Sequence, residues 1–218
     1  MKQVLSFAEA VEPIHDGASL MVAGFMTCGN ACGLIDALIA KGCKNLTLIT
    51  SDGGFPERGV GKLIVAGQVE HLIASHIGTN PVAGKKMNDG SMKVDLVPQG
   101  SLAEKVRCGG AGLGGVLTPT GLGTECEQGK QEISVDGKTY ILETPLTADF
   151  AFVKAAICDE SGNAFVAKAA KNFSIVMAMA AGHTIVEADE LVPVGALDPE
   201  LVHIPGVFVK AIAREVKQ

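Results

Sequence analysis

The chain has 218 residues, 47% of them hydrophobic and 19% charged, with a formal net charge of −6. That length and apolar content suit a large domain with a substantial core and exclude intrinsic disorder. Lysines and arginines are scattered, which argues against nucleic acid as a partner but leaves open a small anion held by local N–H groups.

In chain order, an apolar strand is expected from Leu20 to Ala23, running into a glycine-bracketed loop, Gly24 to Gly29. An amphipathic helix follows, with Asn30 as its N-cap and Gly42 as its C′ stop. Leu34, Ile35, Leu38 and Ile39 share its apolar face. A second strand, Asn45 to Thr50, completes a βαβ unit and hence a parallel sheet. The turn-rich Ser51–Gly59 stretch precedes a helical pattern from Lys62 to Gly67. A strand from His71 to Ile77 ends at the turn Gly78-Thr79-Asn80-Pro81, and another, Val94 to Val97, ends at Pro98-Gln99-Gly100. Ser101-Leu-Ala-Glu104 reads as a capping box for a short helix stopped by Gly109-Gly110.

The Asp136-Gly137 pair between Glu132–Val135 and Lys138–Glu143 predicts an antiparallel hairpin appended to the main sheet. Asp149 to Cys158 has buried-strand character, Ser174 to Ala181 fits a helix or a strand, and Thr184 to Glu187 fits a strand. The tail, Gly206 to Val216, fits a closing amphipathic helix. No linker and no internal repeat stands out, so one α/β domain is expected over residues 1–218, a mostly parallel sheet with helices on both faces.

In an open parallel sheet, ligands bind beyond the carboxyl ends of the strands. Ala23–Asn30, Ser51–Gly54, Gly78–Pro81 and Pro98–Ser101 should share that rim. Gln99 and Gly100 stand where a helix N-terminus would favour a carboxylate by roughly 0.3–1 kcal/mol. The same pair also fits a plain turn before an ordinary capped helix. Gly110, Gly112 and Gly115 satisfy GxGxxG, but a helix precedes them where a dinucleotide fingerprint needs a strand, so a flexible rim loop is expected. The five histidines show no metal or catalytic spacing, and Glu160-Ser-Gly-Asn163 reads as a turn.

The first ten residues carry Glu9 and lack the apolar core of a signal peptide, and no apolar run reaches membrane length. A soluble, cytoplasmic protein without a membrane partner is expected. Cys28, Cys32, Cys43, Cys108, Cys126 and Cys158 should then be reduced thiols. No CxxC or histidine pair completes a zinc set around Cys28 and Cys32, so no metal is expected.

The segment from Asp16 to Asn30 resembles the amino-terminal signature of the family I coenzyme A transferases on the α-subunit side. The pattern is Asp-Gly, two residues, three apolar residues, Gly-Gly-Phe, three residues, Gly; here Ala23 replaces the first glycine of the pair, and Ala31 stands where proline is usual. Ser75–Pro81, Val97–Arg107, Gly109–Gly115 and Leu117–Thr124 are similar to the acetate/butyrate–acetoacetate type, and Lys171-Asn-Phe-Ser174 matches a usual Arg-Asn-Phe-Asn in part.

The resemblance implies an α/β/α fold and an α2β2 assembly with a β subunit. It also implies ping-pong exchange of CoA between a short-chain acyl-CoA and a free carboxylate, in short-chain fatty acid metabolism. Coenzyme A enters as a substrate, and no permanently bound cofactor is expected. The nucleophile is a glutamate in a Ser-Glu-Asn-Gly motif on the β subunit, a motif absent here. Carried over by position, Ala23, Gly24, Phe25, Met26, Thr27, Cys28 and Gly29 contribute to the CoA site, and Gln99, Gly100 and Asn80 to the carboxylate site. This chain supplies no catalytic residue in that scheme. Two alternatives are a single-chain sugar-phosphate isomerase or deaminase of related fold and a non-catalytic acyl-CoA-binding protein.

Overall fold

The computed structural model describes residues 1–215. The chain opens with β1 (Gln3–Leu5) and α1 (Phe7–Val11). A capping box starts α1: the Ser6 hydroxyl accepts from the Glu9 N–H, and the Glu9 carboxylate accepts from the Ser6 N–H. Strands and helices then alternate: β2 (Ser19–Val22), α2 (Cys32–Lys41), β3 (Leu46–Thr50), α3 (Gly61–Val65), β4 (Val69–Ala74), α4 (Pro81–Asn88) and β5 (Lys93–Leu96). α5 (Gln99–Ala111) leads to β6 (Val116–Thr118), β7 (Glu132–Val135) and β8 (Lys138–Glu143). The chain returns through β9 (Ala148–Asp159), β10 (Ala164–Phe165), α6 (Lys171–Ala180), β11 (Ala181–Val192) and β12 (Val209–Ala213).

The large sheet has nine strands among the described residues, in the order β1-β12-β11-β9-β2-β3-β4-β5, with β10 paired to β9. Every neighbour along that path is parallel, and β10 alone runs antiparallel. Strand alternation sorts the core into two faces. Leu20 and Val22 pack with Leu34, Ile35 and Leu38 of α2 and with buried residues of α1, α3 and α4. Met21 faces the other way, with Leu102 and Val106 of α5 and Phe173 and Met177 of α6. The result is a three-layer α/β/α arrangement, as the sequence predicts.

The topology fixes where a ligand can sit. Strands β2 to β5 step outward in chain order on one side. The chain then returns, and β9 pairs with the opposite edge of β2 before β11 and β12 step the other way. The direction of winding therefore reverses between β2 and β9. Such a switch point opens a crevice beyond the strand ends, and the loop after β2 stands in it.

Several expectations need correction. The tail is not a helix: after a short 3-10 turn at Gly206–Phe208, Val209–Ala213 is β12. An apolar run this short cannot be told from a strand by periodicity, and the gap between β1 and β11 demands a paired backbone there. Val216 lies outside the described residues. The Ser101–Glu104 capping box does not form. α5 begins three residues earlier, with Pro98 as a cap that offers no side chain, and Ser101 Oγ lies buried without a partner among the described residues. Gly109 and Gly110 continue α5, tolerated because the carbonyl of Leu146 and the backbone of Met179 press against them where a Cβ would stand. Gly112, at φ +67, makes the left-handed stop instead. The glycine-rich segment expected as a loop contains β6, which joins the predicted hairpin in a three-stranded antiparallel sheet, β6-β8-β7.

That small sheet is fastened to α5 by an ion cluster. Glu143, at the end of β8, is 1% exposed. Its carboxylate meets Lys130 Nζ at 2.6 Å and Lys105 Nζ at 3.1 Å. Burial alone would raise its pKa, but the two ammonium groups outweigh burial and hold it below the ordinary glutamate value. Glu143→Gln is expected to cost roughly 3 kcal/mol, as when one partner leaves a buried ion pair. The contribution is complete above the unfolded carboxyl's pKa of about 4.3 and is lost as pH falls through the lower folded value. Urea denaturation of parent and variant should show their gap closing towards acid; a gap widening there contradicts the assignment.

Candidate active site

Because the strands are parallel, the four rim segments predicted from the sequence do converge. Asp52, just past β3, is 2% exposed and reaches across to the first loop. Its Oδ2 accepts the Met26 N–H at 3.0 Å, and its Oδ1 accepts the Gly54 N–H at 2.8 Å. The Asn30 amide ties the same two loops, donating to the Ala23 carbonyl at 2.9 Å and accepting from the Val60 N–H at 3.0 Å. Thr79 donates to the Gly54 carbonyl at 2.7 Å, which brings in the loop after β4.

The first loop is a tight reversal. Phe25 and Cys28 exchange N–H···O bonds of 3.0 and 2.8 Å, so Met26 and Thr27 form a two-residue turn. Both have positive φ, +48° and +72°, with Gly24 at +126° and Gly29 at +87° on either side. Positive φ at both central positions is the sign of a type I′ turn, which favours Asn-Gly. Met and a β-branched Thr there store strain of roughly 1–3 kcal/mol each. The N–H groups of Gly24, Thr27 and Gly29 find no acceptor among the described residues. Phe25 stands 49% exposed, and the Cys28 thiol is free and exposed.

The loop after β3 repeats this plan, which the sequence reading passed over. Gly24-Phe25 and Gly29 are matched by Gly54-Phe55 and Gly59, and Phe55 bridges Arg58 as Phe25 bridges Cys28. In this second loop Pro56 occupies the turn and neither central residue has positive φ. The Arg58 guanidinium lies over the Phe55 ring, 4.4 Å from its centre.

Gln99 and Gly100 are the first residues of α5 and are exposed at the rim. Gln99 Nε2 donates to Ser51 Oγ at 3.1 Å, its Oε1 lies against the Ser75 hydroxyl, and one amide N–H remains unspent. Asn80 lies a layer lower and is fully buried. Its Oδ1 caps α4 through the Val82 and Ala83 N–H groups, and its Nδ2 donates to the Gly53 carbonyl at 2.9 Å. It shapes the second loop from beneath.

Asn30 is not the N-cap of α2. Ala31 holds that position without a capping side chain. The Leu34 N–H instead donates at 3.0 Å to Glu187 of β11, a partner 153 residues away. Glu187 is itself paired with Lys154 of β9 at 3.0 Å, and Lys154 meets Asp189 at 2.5 Å. Burial would lower the Lys154 pKa, but Asp189 and Glu187 outweigh it and hold it above the usual lysine value. No local signal reveals a cap supplied by a distant strand, so Asn30 was the best candidate in the sequence.

These features define an α/β protein whose switch-point rim offers backbone N–H groups and amides, while the buried carboxylates touching it, Asp52 and Glu187, are spent on the scaffold. The chain belongs to the coenzyme A transferase family: the model of that family, described as "Coenzyme A transferase", matches residues 4–215. It is 49% identical over 210 residues to the acetate CoA-transferase subunit alpha of Escherichia coli K12, covering 96% of each chain. It is 48% identical over 213 residues to the acetoacetyl-CoA:acetate/butyrate CoA transferase alpha subunit of Clostridium acetobutylicum, covering 98% of each. Among solved structures it matches an acyl-CoA transferase of E. coli O157:H7, determined as a thioester complex with CoA, at a TM-score of 0.86 and 26% identity. That match covers all of this chain and 48% of the other, so the chain spans about half the length of that enzyme.

The packing of the loops predicts an ordered mutational response. A Cβ at Gly24 would press into Asn30 Nδ2 and stand 2.9 Å from the Asn30 nitrogen, in a backbone conformation barred to side chains. Gly24→Ala should cost about 3 kcal/mol or more. Gly17, also at positive φ but with nothing within 4 Å, should cost about 1 kcal/mol. Equal losses in chemical denaturation would refute the claim that Asn30 locks the loop.

Proposed function

We propose that this chain is the α half of a CoA-transferase that moves CoA between a short-chain acyl-CoA and a free carboxylate, acetate, butyrate and acetoacetate being the acids concerned. The observation that carries this is the match along nearly its whole length to α subunits so named, together with a rim that supplies donors. The reactive carboxylate comes from a β partner, in an α2β2 assembly whose active site lies against the switch-point rim. No helix among the described residues is long and apolar enough to cross a membrane, in keeping with a cytoplasmic enzyme.

The chemistry divides accordingly. A β-subunit glutamate attacks the thioester carbonyl and expels the CoA thiolate, leaving a mixed anhydride. The thiolate then attacks the glutamyl carbonyl, forming a glutamyl-CoA thioester and releasing the first acid. A second carboxylate reverses the path. Each addition places negative charge on a carbonyl oxygen. The free N–H groups of Gly24, Thr27 and Gly29 are the donors this chain offers to that charge, and one such donor is worth roughly 3 kcal/mol. The loop Ala23–Gly29 flanks the thioester, and Gln99 and Gly100 meet the exchanged carboxylate through the free N–H groups at the start of α5. The matching family and the named relatives are CoA transferases, which favours this reading over a sugar-phosphate isomerase or a non-catalytic acyl-CoA-binding protein.

Exchange between acetate and acetoacetyl-CoA or butyryl-CoA should be absent with this chain alone and present when a β-type chain is co-expressed. Activity in the isolated chain sinks the half-site reading. In the assembled enzyme, Gln99→Ala should raise KM for the free acid about tenfold while KM for acyl-CoA moves little; an unchanged acid KM removes Gln99 from the site.

A further inference from the structure

We propose that Asp52 is a positioning residue for the reaction: it holds the strained Met26–Thr27 turn in its working shape by clamping it to the relaxed loop beside it. The inference rests on the functional reading above. Asp52 makes no ion pair among the described residues, although it is almost wholly buried. Its two oxygens face two backbone N–H groups, one from each loop. A buried carboxylate balanced by backbone dipoles alone is directional, because each bond fixes the position of the peptide that donates it.

The two loops differ in what they need. Pro56 sets the second turn, whose central residues keep ordinary φ, so that loop holds its own shape. Met26 and Thr27 take positive φ and would relax if released. Asp52 bonds Gly54 in the stable loop and Met26 in the strained one, which makes the stable loop the anchor. The N–H groups without acceptors, Gly24, Thr27 and Gly29, all lie within or beside the strained turn. Relaxation of the turn would therefore move the donors offered to the substrate, leaving the loop in place through Asn30.

Asp52→Asn conserves size but offers one acceptor and one donor where two N–H groups must be met. In the assembled enzyme it should lower kcat by about 100-fold, with KM for acyl-CoA within about threefold. The decisive readout is a double-mutant cycle with Met26→Asn/Thr27→Gly, which makes the turn favourable without help. In that background the loss on Asp52→Asn should shrink at least about tenfold. A kcat within about threefold of the parent, or equal losses in the two backgrounds, overturns the proposal. If Asp52→Asn alone fails to fold, the triple variant is the test: recovery of folded, active enzyme supports the clamp, and failure to recover overturns it. If the assembled parent shows no exchange, the functional reading falls instead, and hydrogen exchange at the Met26 amide judges the clamp: protection supports it, and free exchange overturns it.

Discussion

The site hangs on one strand. β2 is paired in parallel on both edges, with β9 on one side and β3 on the other, and is buried on both faces. A strand so enclosed cannot shift register without moving Leu20 and Met21 into each other's layer. Its end is therefore a fixed point, and the chain leaves it directly into the loop that offers free N–H groups. Because winding reverses beside β2, the crossover helices on either side of it, α2 and α6, lie on opposite faces of the sheet. The position of the candidate site follows from topology before any side chain is considered.

What topology leaves open is the shape of the loop, and there the structure stores strain. Two consecutive non-glycine residues in left-handed geometry are held by neighbours that are themselves unstrained. Asn30, Asp52 and the twin loop supply polar contacts, while Ala170 crowds Gly29 from the α6 side. The buried carboxylates at the rim serve this rigidity: Asp52 joins two loops, and Glu187 caps α2 from across the sheet. That division of labour leaves the free N–H groups of the first loop as unspent donors at the rim, where the proposed function needs donors for an acyl-transfer oxyanion.

Much of this was legible in the sequence because local patterns carried it. The Leu20–Ala23 strand, the Gly42 stop, the alternation out to β5 and the Asp136-Gly137 hairpin each depend on neighbours in the chain. The failures share a cause as well. Asn30, Ser101 and the tail were assigned from short-range rules, and for Asn30 and the tail a distant partner decided the outcome. Glu187 displaced Asn30 as a cap, α5 began at Gln99 because β5 ends just before it, and the gap beside β1 made a strand of Val209–Ala213. The repeated Gly-Phe loop was visible as Gly54-Phe55 and Gly59 but carried no meaning until the parallel register of β2 and β3 set the two side by side. The convergence of the rim loops was legible; the buried groups that hold them, Asp52 above all, were not, because a carboxylate in a turn-rich stretch is indistinguishable from a solvated one.

The central claim is that this chain shapes and stabilises a reaction whose covalent step occurs on its partner. The most direct test is to incubate the assembled enzyme with acyl-CoA, reduce any acyl thioester on protein with borohydride, and weigh the two chains separately. The account predicts that this chain keeps its mass and that a glutamate of the partner is converted to the alcohol. Reduction of an aspartate or glutamate in this chain would contradict it.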